Sequence, residues 1–277
     1  MKNLLPRVLS GVVYIGLIYF GTTGHPWVFL SLMALFGVLC FIEYISITEL
    51  TDKLYVALAF LGSVAVFYYF SDYLLFQRSA FVMESLSFAG PILFILACYT
   101  ILFSSKELYV EFGKATVGVI YVTVPFALAL TLPTVYFESG KEVITNEILF
   151  IFILIWISDS AAYVVGSLWG KHKLAPKISS GKSWEGAIGG FVFTLLCGYI
   201  FQYHIFQESR FNWLIIGFIV ALFAPIGDLI ESKLKRSFNA KDSGKLIPGH
   251  GGFLDRLDSF IFVIPMVYLY MLLNEVL

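Results

Sequence analysis

The sequence predicts an all-α, polytopic integral membrane protein of about nine transmembrane helices with a cytoplasmic N-terminus. Three observations predict it. First, 59% of the 277 residues are hydrophobic and only 13% are charged, against about 45–50% and about 25% in soluble domains. Second, apolar runs long enough to span a bilayer, about 17–25 residues each, recur near 8–23, 26–47, 54–70, 86–104, 113–136, 147–168, 186–206, 212–232 and 258–275. Third, basic residues divide between the two sides. With the N-terminus in the cytoplasm, 15 of the 18 Lys and Arg fall in cytoplasmic segments, and only Arg78, Lys141 and Arg210 fall outside. A wrong helix number would scramble that division.

The first run follows Lys2 and Arg7, as a signal peptide would, but no small-residue cleavage site follows it, so it is expected to stay in the mature chain. Residues 72–85 mix apolar and polar side chains and are expected to lie along the membrane surface. The whole of 1–277 reads as one membrane domain. Its first half, 1–146, supplies packing, dimer or lipid contacts; 147–277 carries the chemistry on helices joined by polar cytoplasmic loops at 169–185 and 233–257. Loops this long are usually functional. Cys40, Cys98 and Cys197 sit in apolar runs with no metal-ligand spacing and read as packing residues. Gly166-x-x-x-Gly170 and Gly186-x-x-x-Gly190 would let helices approach closely.

Eleven of the 37 charged residues lie between Asp228 and Asp258. An ionised carboxylate near the bilayer centre costs about 2.5–3.5 kcal/mol, so intramembrane Asp159 and Asp228 are expected to face a cavity or the bundle interior. Asp228, Glu231, Ser232 and Lys235 are spaced i, i+3, i+4 and i+7 and share one helix face. Pro225 and Gly227 just before them are expected to kink or break that helix. Asp255 and Asp258 open the last helix with Arg256 between them. Oxygen-only ligands from separate segments suit Mg²⁺, which takes one or two carboxylates plus substrate phosphates; Asp228 and Asp255 are the candidate pair, with Asp258 beside them. His250 has no second histidine nearby, which argues against zinc. Pro248-Gly249-His250-Gly251-Gly252 reads as a backbone nest for phosphate.

Gly181-Lys182-Ser183 mimics the tail of a P-loop, but Pro176 stands where a glycine is required and no strand is expected before it. Lys182 and Ser183 are candidate phosphate contacts at a helix N-terminus; Ser183 as N-cap with Glu185 in the first turn is the plain alternative. Lys171, Lys173 and Lys177 suit anionic lipid headgroups.

The pattern Ser232-x-Leu234-Lys235-Arg236-x4-Lys241-Asp242-x-Gly244-x2-Ile247-Pro248-x-His250-Gly251-Gly252-Phe253-x-Asp255-Arg256-Leu257-Asp258 resembles the signature of the CDP-diacylglycerol synthases, the phosphatidate cytidylyltransferases. Asp159-Ser160-x-Ala162-Tyr163 and Lys182-Ser183-Trp184-Glu185-Gly186 are similar to that family's upstream motifs. The specific likeness covers about 150–260, and the first five helices match in character only. The resemblance implies transfer of CMP from CTP to phosphatidic acid with release of pyrophosphate, in a homodimer of the bacterial cytoplasmic membrane whose site faces the cytoplasm. It implies Mg²⁺ at the positions of Asp228 and Asp255, and a second cation such as K⁺. Lys235, Arg236, Lys241 and Arg256 would offset substrate charge, and Lys182, Ser183, Glu185, Ser232, Asp242, His250, Gly251, Gly252 and Asp159 would line the substrate site. Nucleic acid is not an expected partner. Two other readings are a CTP-dependent polyprenol or phytol kinase, which would release CDP, and a cation transporter using Asp159 and Asp228 as an ion path. No inverted repeat supports the latter.

Overall fold

Long apolar runs become helices, because a backbone surrounded by lipid must satisfy its own hydrogen bonds. The computed structural model describes residues 4–76, 88–104, 110–138, 140–176, 178–207, 209–244, 246–247 and 251–276, which form nine helical rods. These are α1 (Leu4–Thr22), α2 (Pro26–Thr48), α3 (Lys53–Phe76), α4 (Ala89–Phe103), α5 (Glu111–Ala129), α6 (Glu147–Trp169), α7 (Trp184–Ile205), α8 (Trp213–Ser237) and α9 (Leu254–Val276). Seven are long and apolar enough to cross a membrane; the apolar part of α1 and all of α4 are shorter. Most of the predicted surface segment 72–85 lies outside the described residues, and α3 itself runs on to Phe76.

Two boundaries differ from the sequence reading for physical reasons. The run 113–136 stops being helical at Ala129. Pro125 lacks an N–H and crowds the carbonyl four residues back, and the turn just before it, Val119–Thr123, widens to a π-helix. Pro133 then closes the helical route, and a short hairpin follows, β1 (Val135–Glu138) against β2 (Lys141–Ile144). At the other correction, α8 continues to Ser237 and carries Lys233, Lys235 and Arg236 on helix rather than loop. Pro225 does not break it: the helix passes through, and the carbonyls of Ala224 and Pro225 gain second donors from Ser259 Oγ and Lys182 Nζ, each at 3.1 Å. Gly227 serves a helix crossing. A Cβ there would stand 2.7 Å from the Asp258 carbonyl of α9.

The last four helices pack on one another through such small residues. At the α6–α7 crossing a Cβ on Gly190 would meet the Ser158 carbonyl at 2.8 Å, so the glycine spacing does permit close approach. Backbone on backbone cannot yield by rotamer change. Gly190→Val is therefore expected to cost about 1–3 kcal/mol, read as a lowered thermal midpoint in detergent. Of the seven long helices α9 is the most buried and α3 the least. Phe260 of α9 stacks on Phe152 of α6 at 4.5 Å and packs against Phe126 of α5 at 5.6 Å, tying both halves of the chain to one core. A second hairpin, β3 (Lys173–Ala175) with β4 (Ser179–Ser183), runs straight into α7.

Candidate active site

The last turns of α8 and the first of α9 meet through charge. Lys235 Nζ lies 2.5 Å from Glu231 Oε2 and 2.6 Å from Asp255 Oδ1, and all three side chains are largely buried. The i, i+4 spacing on α8 supplies one pair; the loop after α8 folds back to supply the other. Asp255 Oδ2 accepts from the backbone N–H groups of Ser243 and Gly252, each at 3.0 Å. Three acceptor positions on this carboxylate are thus occupied, leaving about one of the usual four.

About two turns earlier on the same face of α8, Lys182 reaches from β4 to Asp228 Oδ2 at 2.7 Å, and Ser232 Oγ donates to Asp228 Oδ1 at 3.2 Å. Lys182 and Asp228 line a cleft of about 370 Å³ between α6, α7 and α8, which Asp159 and Tyr163 also line. A second cavity, about 240 Å³, is walled by α1, α6 and α9 and contains Asp159, Asp255, Arg256 and Asp258. Asp159 lies on both. Asp258 is buried within electrostatic reach of Asp228, Glu231 and Asp159, and its Oδ1 accepts from Ser259 N at 2.7 Å.

No contact joins Asp228 to Asp255 among the described residues. Each is held by its own lysine, and Asp258 and Asp159 connect the two. Asp258, expected beside the candidate metal pair, sits at the centre of the acid cluster. Five carboxylates (Asp159, Asp228, Glu231, Asp255 and Asp258) face three cations (Lys182, Lys235 and Arg256). Glu231 Oε1 is buried without a donor among the described residues. An all-oxygen donor set fits a hard divalent cation. Among the described residues no three acid, histidine or cysteine side chains form a cage; Mg²⁺ bound partly through substrate phosphates needs none.

The other expected residues separate. Arg236 is exposed and donates to Ala240 O at 2.9 Å; Lys241 and Asp242 are exposed on the following loop. Gly252 is buried under Ser243, and Gly251 takes a positive φ of 86° and pairs with Ile247, closing a loop whose tip, with His250, lies outside the described residues. Ser183 is the N-cap of α7, accepting from Gly186 N at 3.2 Å. Glu185 accepts from the backbone N–H of Lys171 at 3.1 Å and contacts His172 Nδ1 at 2.6 Å, fixing the start of the hairpin. The capping alternative thus holds for Ser183, which also lines the Asp228 cleft. A strand does lead into this helix, contrary to the sequence reading, but Lys182 and Ser183 lie in the strand itself with no intervening loop, so a P-loop stays excluded. Lys171 and Lys173 are exposed, and Lys177 falls outside the described residues.

Two contributors were not foreseen. Tyr14 of α1 lines the smaller cavity and donates to Arg256 O at 3.4 Å. Glu43 of α2 is buried against the loop before α9, accepting from Ser243 Oγ, Phe253 N and Leu254 N at 2.9–3.1 Å. A carboxylate inside an apolar helix was the available signal.

The two cavities draw residues from the 232–258 block and from both shorter upstream motifs, together with Asp228 and residues of α1. Phosphatidate cytidylyltransferases of Staphylococcus haemolyticus and Staphylococcus saprophyticus are each 38% identical over 175 residues, 63% of this chain and 64% of theirs. That of Staphylococcus aureus is 38% identical over 177 residues, with the same shares. The chain thus matches just under two thirds of the length of these curated relatives. The pattern of the cytidylyltransferase family matches residues 5–274, through all nine helical rods. Acid cluster, paired lysines and end-to-end match place the chain in the cytidylyltransferase family.

Proposed function

We propose that this protein transfers the cytidylyl group of CTP to phosphatidic acid, forming CDP-diacylglycerol and releasing pyrophosphate. The observation that carries the reading is the acid cluster around Asp258, drawn from α6, α8 and α9 and reached by lysines from two separate elements. The similar staphylococcal proteins, phosphatidate cytidylyltransferases, agree with it. A lipid phosphate oxygen attacks the α-phosphorus in line, while the bond from that phosphorus to the β-phosphate oxygen breaks. No general base is needed, because a phosphate monoester, with its second pKa near 6, is largely ionised at neutral pH. Anion repulsion is the main barrier, so positioning and charge neutralisation dominate.

Exposed Arg236 and Lys241 meet the incoming triphosphate, and Arg256 at the cavity wall offers a bidentate contact. Lys182 holds Asp228 in the cleft, and Lys235 holds Asp255. Asp228, Asp258 and the remaining acceptor position of Asp255 would hold Mg²⁺, which supplies charge neutralisation at the triphosphate and leaving group. Asp159, shared by both cavities, would face the second cation, K⁺. The reading carries with it a homodimer in the bacterial cytoplasmic membrane, an N-terminus and active site on the cytoplasmic side, and nine spans.

The test is purified protein in detergent with labelled CTP and phosphatidic acid, with and without Mg²⁺. Mg²⁺-dependent CDP-diacylglycerol with equimolar pyrophosphate is expected. Release of CDP instead would transfer the case to a lipid kinase, and ion flux in liposomes without CTP would transfer it to a transporter.

A further inference from the structure

A buried carboxylate in a membrane helix must meet donors or a cation. Among the described residues Glu43 is hydrogen-bonded by donors of the segment that carries Asp255. Its Oε2 accepts from Ser243 Oγ and Leu254 N, both at 2.9 Å, and its Oε1 accepts from Phe253 N at 3.1 Å. Phe253 and Leu254 stand at the N-terminal end of α9, where backbone N–H groups lack intrahelical partners and the helix dipole favours a negative charge. Glu43 therefore caps α9 from another helix, more than 200 positions away in sequence.

The same contact sets the catalytic loop. Ser243 Oγ donates to Glu43 and accepts from Asp255 N at 3.2 Å, while Ser243 N donates to Asp255 Oδ2 at 3.0 Å. A hydrogen-bonded chain thus runs from Glu43 through Ser243 and Asp255 to Lys235 and Glu231. Gly244 and Gly252 press against the Glu43 carboxylate: an added Cβ would stand 2.8 Å from Glu43 Cδ at the first and 2.6 Å at the second. Those two glycines of the signature have a reason in Glu43, as much as in any phosphate nest.

We propose that Glu43 is a positioning residue for the transfer reaction: it fixes residues 243 and 252–254 and, through Ser243, the carboxylate of Asp255. The catalytic half of this claim rests on the cytidylyltransferase reading; the structural half does not. The experiment compares wild type, Glu43→Gln, Glu43→Asp and Ser243→Ala in detergent, by steady-state turnover and by amide hydrogen exchange. Glu43→Gln is expected to lower kcat about 10–100-fold with KM for CTP little changed, and to speed exchange across 241–254 about tenfold or more. Glu43→Asp recovers part of both. Ser243→Ala, which breaks the link with less change in the core, moves both in the same direction and decides the matter if Glu43→Gln fails to fold. Unchanged exchange in the loop, or unchanged kcat with a loosened loop, overturns the proposal. A wild type that releases no pyrophosphate overturns the functional reading instead, and the exchange comparison still judges the role of Glu43 in the loop.

Discussion

Replacing Lys235 with methionine is expected to destabilise the protein by about 3–5 kcal/mol, the range seen when one partner of a buried ion pair is removed. Methionine keeps most of the side-chain volume, so little of that loss comes from a cavity. The loss comes from charge. Glu231 is 1% exposed, and its Oε2 has Lys235 at 2.5 Å as its ion-pair partner. Asp255 loses the partner of Oδ1 at the same time. Two carboxylates would then be left in low dielectric beside Asp258, whose environment is already acidic. Thermal or denaturant unfolding in detergent measures the change. Adding Glu231→Gln to Lys235→Met should return part of the loss, because one of the stranded charges is gone; the difference from additivity isolates the pair. An unaltered midpoint for Lys235→Met would mean that water reaches the triad and that its charges do not organise the site.

Much of this site is visible in the sequence because it is dense. A dozen charged and glycine positions within 27 residues cannot belong to lipid-facing helix, and the i, i+3, i+4, i+7 spacing of Asp228, Glu231, Ser232 and Lys235 places them on one face without any structure. The nine runs are legible for a similar reason: the requirement for about 20 apolar residues is a strong filter. Capping by Ser183 is local and equally readable.

What was not legible is long-range or depends on a neighbour's shape. Glu43 is one acid in the apolar run 26–47, and its donors lie 200 or more positions away. Nothing within its own helix hints at them. Pro225 and Gly227 looked like a break because both are poor helix formers, but tertiary packing decided otherwise: α9 needs the glycine at the crossing, and Lys182 and Ser259 occupy nearby carbonyls. The hairpins at 135–144 and 173–183 have strands of three to five residues, too short for a period-2 pattern to register. Tyr14 was missed for the same reason as Glu43, since a contact made across the fold leaves no local trace.

Asp228→Asn and Asp255→Asn are expected to abolish turnover by different routes, and the difference tests the geometry. Each should lower the rate by at least about 10²–10³-fold, the scale of removing one preorganised electrostatic contact from a reacting centre. Asp228 is partly exposed in the cleft, and its partner Lys182 can turn to the Pro225 carbonyl it already touches. The stability cost should therefore stay within about 1 kcal/mol, as for accessible ion pairs. Asp255 has no such freedom. An asparagine there can still offer its carbonyl to Ser243 N and Gly252 N, but its amide then points donor to donor at Lys235. Lys235 would be left to Glu231 alone, and a measurable loss of stability should accompany the lost rate. Initial rates normalised to monodisperse protein, together with unfolding midpoints, separate the two. Full turnover by either purified variant would remove that aspartate from the transfer site. Equal stability of the two would show that Asp255 is not the hinge between the charge triad and the loop that Glu43 holds.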